Sequence, residues 1–133
     1  MKNLIHVNLA VFLGLVGYAT HGWAGAFAAF LFQVLPIADN WLRWKLRGEW
    51  MHTIAGLFVA ILLTWLIMPN LVWLVLLSYG LHLIVDLFGD ERQPYFWPFS
   101  KQGIALSFPN SELYANVMSA AGILGMLLII VIR

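Results

Sequence analysis

Long apolar segments, separated by short polar connections, constrain this chain more than any other feature. They cover residues 4–19, 23–37, 52–68, 71–88 and 113–132. A helix needs about 20 apolar residues to cross the hydrocarbon core of a bilayer, with a lower limit of about 17. The last three segments reach that length, and the first two are shorter. The sequence therefore predicts an all-α integral membrane protein with about five transmembrane helices, or with four and a re-entrant N-terminal hairpin.

The composition excludes several other classes of protein. Hydrophobic residues make up 62% of the chain and charged residues 10%, whereas about a quarter of the residues in a soluble domain are charged. The formal net charge of +1 leaves no basic surface for nucleic acid. The absence of cysteine excludes thiol catalysis and cysteine-ligated metals. We expect one polytopic transmembrane domain over residues 1–133.

The N-terminal segment has the basic residue and the apolar stretch of a signal peptide. A signal peptide ends at a small-residue cleavage site and leads into a soluble domain. Here residues 21–22 lead into further apolar sequence. We therefore expect this segment to be retained as a membrane helix.

The charged residues predict an orientation in the membrane. With a cytoplasmic N-terminus and five crossings, every basic residue except Arg133 lies on the cytoplasmic side, in agreement with the positive-inside rule; these residues are Lys2, Arg43, Lys45, Arg47, Arg92 and Lys101. The opposite connections, around residues 20–22 and 69–70, are uncharged. We expect a multi-pass protein of the bacterial inner (plasma) membrane with its chemical site near the cytoplasmic interface.

Membrane lipids are the predicted partners of the basic cytoplasmic surface. Arg43, Lys45 and Arg47 stand beside tryptophans, and such residues at a membrane surface attract anionic lipid. Small residues four apart, such as Ala10 and Gly14, allow close approach of helices. A homo-oligomer is therefore left open.

Ionisable side chains within or beside the apolar segments are the candidate functional groups, because each costs about 2.5–3.5 kcal/mol to place in a bilayer. His82 and Asp86 are four residues apart and therefore share one helix face. His6, Asp39 and His52 come from three other segments at the same predicted depth. A mixed set of imidazoles and carboxylates suits zinc, manganese or iron better than calcium. The alternative is a hydrogen-bonded polar network that only holds the helices together.

The same residues carry a resemblance to a known family. Four motifs follow His6 in order: LPIADN (residues 35–40), RGEWMHT (47–53), YGLHLIVD (79–86) and PYFWPF (94–99). In this order the chain resembles the membrane-bound, metal-dependent hydrolases typified by YdjM, the LexA-regulated inner-membrane proteins. Their corresponding motifs are an N-terminal histidine, LPDIDH, HRGxTHS, a GYLSHLLLD segment and a WPF element.

The resemblance implies a metal-dependent hydrolase whose ion is held by residues within or beside four of the five apolar segments: His6, Asp39, His52, His82 and Asp86. The chain departs from the family at Ile37, Asn40 and Leu46, where the motifs have aspartate, histidine and histidine. The remaining five residues suffice for one ion, because a catalytic zinc needs only three protein ligands.

The sequence thus predicts a divalent metal, zinc or manganese, that activates water against an ester, phosphoester or amide in a membrane-associated, lipid-like substrate. Glu49 and Glu112 are the candidates to accept the proton from that water. The alternative is a non-catalytic membrane scaffold or interaction subunit with a degenerate metal site. A small transporter is disfavoured, because the predicted outer halves of the last three segments are apolar.

Overall fold

The computed structural model describes residues 2–46, 50–88, 92–100, 102–106 and 111–132. Within these ranges the chain forms four α-helices and no strand: α1 (Lys2–Leu46), α2 (Ile54–Ile67), α3 (Val72–Leu87) and α4 (Ser111–Ile132). Short 3-10 turns, Trp50–His52 and Pro69–Leu71, precede α2 and α3. The predicted all-α class is confirmed.

Helix α1 is a hairpin of two helical arms, residues 2–20 and 23–46, separated by a break at His21 and Gly22. Gly22 has a φ of +63°, a left-handed conformation that glycine adopts without strain. A Cβ at Gly17 would overlap the carbonyl of Gly25, and one at Gly25 would overlap that of Gly17. Residues eight positions apart in a straight helix are separated by about 12 Å. The chain therefore turns back at the break, and the two arms pack against each other.

The helix connections define two ends of the bundle. The imidazole of His21 lies 5.9 Å from the indole of Trp73, measured between ring centroids. The break in α1 and the connection between α2 and α3 therefore lie at one end, which we call the turn end. The loop of residues 92–106 lies at the other, the loop end, where the Leu106 N–H donates to the Leu87 carbonyl (2.7 Å).

Helix α3 is the central element of the core. Its Leu74 packs in one cluster with Leu13 and Ala29 of the two α1 arms. Three further side chains, Val75, Tyr79 and Leu83, form a second cluster with Ala60 of α2 and Tyr95 of the loop. Val85 forms a third cluster with Ile5 and Leu9. Residues on α3 are thus held against both arms of α1 and against α2.

The outer surface of the bundle is apolar. Among the described residues, two helices are long and apolar enough to cross a membrane, Ile5–Pro36 and Pro69–Leu87, and the apolar helices Ile54–Ile67 and Ser119–Leu128 are shorter. On α2, Phe58, Leu62 and Leu66 are all exposed. The fold thus provides two candidate membrane spans, and the five crossings stay a prediction.

Candidate metal centre

Two side chains of α3 hydrogen-bond to backbone carbonyls of the second α1 arm. The Ser78 hydroxyl donates to the carbonyl of Ala29 (2.5 Å), and Nδ1 of His82 lies 2.9 Å from the carbonyl oxygen of Gln33. A backbone carbonyl oxygen has two lone pairs, so those of Ala29 and Gln33 can accept a side-chain donor in addition to a helical N–H.

The carboxylate of Asp86 is the centre of a buried cluster of three histidines. Nε2 of His6 lies 3.1 Å from Oδ1 of Asp86. Nε2 of His82 lies 3.2 Å from Oδ2, and Nε2 of His52 lies 3.5 Å from the same oxygen. The histidines are 5% (His6), 1% (His52) and 1% (His82) exposed, so the cluster is shielded from solvent. We call these four residues the His/Asp cluster.

The spacing within the cluster fits the ligand shell of one small cation. Candidate ligand atoms of His6, His82 and Asp86 all lie within 4.8 Å of one another. Tetrahedral ligands at about 2.0–2.1 Å from zinc are about 3.3 Å apart, close to the nitrogen–oxygen distances of 3.1–3.5 Å seen here. The rings of His6 and His82 are stacked with centroids 4.2 Å apart, so their nitrogens approach the same point.

The hydrogen bond to Gln33 determines which nitrogen of His82 is available. A carbonyl oxygen only accepts, so Nδ1 of His82 carries the hydrogen. In the neutral ring, Nε2 then presents a lone pair to the Oδ2 lone pairs of ionised Asp86 at 3.2 Å. Both atoms are buried and make no hydrogen bond within the described residues, and His52 Nε2 lies 3.5 Å from the same Oδ2. Two lone pairs at this distance repel each other, so a cation or an additional proton between them is required.

The backbone around His52 is fixed by three hydrogen bonds. The hydroxyl of Tyr79 donates to the Met51 carbonyl (2.6 Å), and the Ile54 N–H donates to the Tyr95 carbonyl (2.9 Å). Thr53 caps α2, and its hydroxyl oxygen accepts from the N–H of Gly56 (3.0 Å). The packing of α2 on α3 therefore determines where the His52 ring lies.

The structure brings together four of the five predicted metal ligands: His6, His52, His82 and Asp86. Residue 39 belongs to α1, but the side chain of Asp39 lies outside the described residues, as do Glu49 and the side chain of Glu112. His21 lies at the turn end, away from the cluster.

The groups that support the cluster were not predicted from the sequence. Tyr79 is 1% exposed and Gln33 is fully buried, and neither amide atom of Gln33 has a hydrogen-bond partner in the part of the chain that the structure describes. A signal for Gln33 existed, because it is a polar residue within an apolar segment. The hydrogen bonds to the backbone carbonyls of Gln33 and Met51 could not be predicted from the sequence, because every residue has a carbonyl.

Comparisons of the chain with protein-family models, with curated proteins and with solved structures find no match. The resemblance to the YdjM-type hydrolases therefore stays a prediction. The functional argument depends on the geometry of the His/Asp cluster.

Proposed function

We propose that this chain is a membrane-bound, metal-dependent hydrolase that acts on a membrane-associated ester, phosphoester or amide. Its divalent ion is held by His6, His82 and Asp86, with His52 as a fourth candidate ligand. The observation that carries the proposal is the approach of His82 Nε2 to Asp86 Oδ2 at 3.2 Å, with both atoms buried and with His52 Nε2 3.5 Å from the same oxygen. A divalent cation between them would replace the repulsion with two bonds.

The donor set favours zinc, with manganese as the second candidate. Imidazole nitrogen is a good ligand for zinc, whereas manganese prefers carboxylate and water oxygens. A divalent ion in such a site supplies Lewis-acid polarisation of a carbonyl or phosphoryl oxygen and acidification of water. The Gln33 carbonyl orients the ring of His82, an arrangement that fixes the tautomer of metal-binding histidines. Glu49 and Glu112 stay the candidates for accepting a proton.

The membrane part of the proposal is supported by two apolar helical segments, Ile5–Pro36, which contains the break at His21 and Gly22, and Pro69–Leu87. We propose a multi-pass arrangement in the bacterial inner membrane, with the N-terminus and the loop end on the cytoplasmic side. The basic residues support this orientation, because those other than Arg133 fall on the cytoplasmic side when five segments cross. A cluster at that end would meet substrates that reside in the membrane.

A non-catalytic scaffold with a structural ion is the second candidate function. Its support is the burial of the cluster, in which His52 and His82 are each 1% exposed. Structural zinc sites are closed by four protein ligands, whereas catalytic sites keep one position open. Ile37, Asn40 and Leu46, at positions where the resembled motifs have ligand-type residues, favour the same alternative. His52 distinguishes the two candidates, because its nitrogen is the most distant of the three from Asp86 (3.5 Å).

Metal analysis of the detergent-purified protein tests the proposal. We expect about one zinc ion per chain in the wild type, as required for a site with three or four ligands, and loss of the ion in His82→Ala and Asp86→Ala. His21→Ala is the matched control, since it removes an exposed histidine at the turn end. A folded wild type that takes up neither zinc nor manganese would contradict both candidate functions.

The metal content of His52→Ala and the hydrolytic activity of the wild type together separate the two candidate functions. If His52 is not needed to hold the ion, the variant keeps its metal and the wild type hydrolyses lipid-like esters or phosphoesters. If His52 closes the site as a fourth ligand, the variant binds zinc more weakly and the wild type shows no turnover. Circular dichroism and size-exclusion profiles establish that each variant is folded before its metal is measured.

A further inference from the structure

An exposed aromatic turn projects from the loop end. It consists of residues 96–99, Phe-Trp-Pro-Phe, and we call it the aromatic turn. Phe96 is 51% exposed, Trp97 is 37% exposed and Phe99 is 95% exposed. Large apolar side chains so exposed and so close together indicate contact with something other than water.

Two of the three backbone N–H groups of the aromatic turn, those of Trp97 and Phe99, are paired within the loop. The N–H of Trp97 donates to the Pro94 carbonyl (3.0 Å), and the N–H groups of Phe99 and Ser100 donate to the Phe96 carbonyl (2.8 and 3.0 Å). Pro98 has no N–H. Pairing of these donors lowers the cost of moving the turn into a medium of low polarity, where unpaired backbone groups are strongly disfavoured.

The aromatic turn is held rigidly against the helices that carry the His/Asp cluster. The Tyr95 hydroxyl donates to the Leu83 carbonyl of α3 (3.0 Å), and the Tyr95 carbonyl accepts from Ile54 at the start of α2 (2.9 Å). Gln93 and Ile104 close the loop through a pair of backbone hydrogen bonds (3.2 and 3.0 Å). Leu83 adjoins His82, and Ile54 is two residues from His52. The position of the turn relative to a membrane therefore fixes that of the cluster.

An apolar stripe leads from the aromatic turn to the turn end. Ile54, Phe58, Leu62 and Trp65 are all exposed, and their spacing puts them on one face of α2. At the turn end, three exposed tryptophans complete the pattern: Trp23, Trp65 and Trp73. Aromatic side chains at both ends of an apolar surface are typical of proteins that cross a bilayer, where they lie at the two interfaces.

We propose that the aromatic turn inserts into the interfacial layer of a lipid bilayer and thereby holds the His/Asp cluster at headgroup depth. The inference rests on the membrane-bound function proposed above. It narrows the substrate class to lipids whose hydrolysable ester, phosphoester or amide lies near the headgroup. A bilayer is favoured over a protein partner because the turn continues the exposed apolar stripe of α2.

Spin labelling tests the depth of the turn directly, and the absence of cysteine makes single-site labelling straightforward. A nitroxide is attached to Phe99→Cys in vesicles of phosphatidylethanolamine and phosphatidylglycerol. Matched labels at Phe58→Cys and Gln102→Cys report the apolar stripe and an exposed polar site in the same loop. Power saturation with oxygen and with a water-soluble nickel chelate gives the depth of each label.

We expect the ratio of oxygen to nickel accessibility at Phe99 to be several-fold higher than at Gln102 and below that at Phe58. Equal ratios at Phe99 and Gln102 would overturn the proposal. Protection of the Phe99 label from both reagents would also overturn it, because that pattern indicates a protein contact. Metal content, measured on the same samples, decides the proposed function separately, since a metal-free protein can still show the expected depth.

Discussion

The turn end and the loop end of the bundle are stabilised by different physics. At the turn end, Gly17 and Gly25 allow the two α1 arms to meet backbone to backbone, and Leu13, Ala29 and Leu74 fill the space beside them. At the loop end, three imidazoles surround one carboxylate. The stability of the turn end thus depends on close packing of the helix backbones, whereas that of the loop end depends on the interactions of the Asp86 carboxylate with the imidazoles. Substitutions at the two ends should have separable effects.

Removing the charge of Asp86 should have the largest effect. In Asp86→Asn, the three imidazoles lose the carboxylate that they share, and breaking a buried charged group away from its partners costs about 3–5 kcal/mol. We expect loss of metal binding together with a large fall in the free energy of unfolding, measured in detergent with zinc present. Unchanged zinc affinity in a folded variant would show that Asp86 is not a ligand.

Zinc itself should stabilise the loop end. A ligand that binds only the folded protein adds about 2.7 kcal/mol to the free energy of unfolding at a concentration of 100 times its Kd. We expect this increase in the wild type and in His21→Ala, and none in His82→Ala. Thermal unfolding with and without zinc measures it. An equal increase in His82→Ala would locate the zinc elsewhere.

Crowding the turn end should destabilise the fold without removing the ligands. A Cβ at Gly17 would overlap the Gly25 carbonyl, so Gly17→Ala must push the arms apart, at a cost of about 1–3 kcal/mol. Gly80→Ala is the control, since nothing lies within 4 Å of its added Cβ. We expect Gly17→Ala to lower the unfolding temperature in metal-free buffer and Gly80→Ala to leave it nearly unchanged. Equal stability of both variants would contradict close packing of the arms.

Loss of the Tyr79 hydroxyl should have the smallest effect on stability. Tyr79→Phe removes one hydrogen bond to the Met51 carbonyl, worth about 1 kcal/mol. Because that bond holds the segment before His52, we expect zinc affinity to fall by about tenfold, the lower limit for groups that orient ligands. A cobalt-substituted sample provides the measurement, because its visible spectrum changes when a ligand moves. An identical spectrum and affinity would exclude a positioning role.

More of the residues that meet at the loop end than of those that meet at the turn end could be predicted from the sequence. His82 and Asp86 are identifiable from their spacing, and His6 and His52 from their place beside apolar segments. The His21–Gly22 break was anticipated only as a connection between two segments. The pairing of Gly17 with Gly25 depends on which helix faces meet, and helix-face contacts have no periodic signature in one sequence.

The supports of the ligands could not be predicted either. The carbonyls of Gln33 and Met51 orient His82 and the segment before His52, but a backbone carbonyl is common to all residues. Only the three-dimensional arrangement shows which ones meet a side chain.

The break at Gly22 has a consequence for how the ligands are assembled. His6 and Gln33 are distant in sequence, yet the ring of His6 stacks on His82 (4.2 Å) while the carbonyl of Gln33 bonds to that same residue. Bringing together two points on a flexible chain costs entropy that grows with the length of the intervening loop. The hairpin closes this loop through apolar packing, without the help of an ion. An ion at the proposed site would therefore meet candidate ligands that are already close together, with little of the chain left to order.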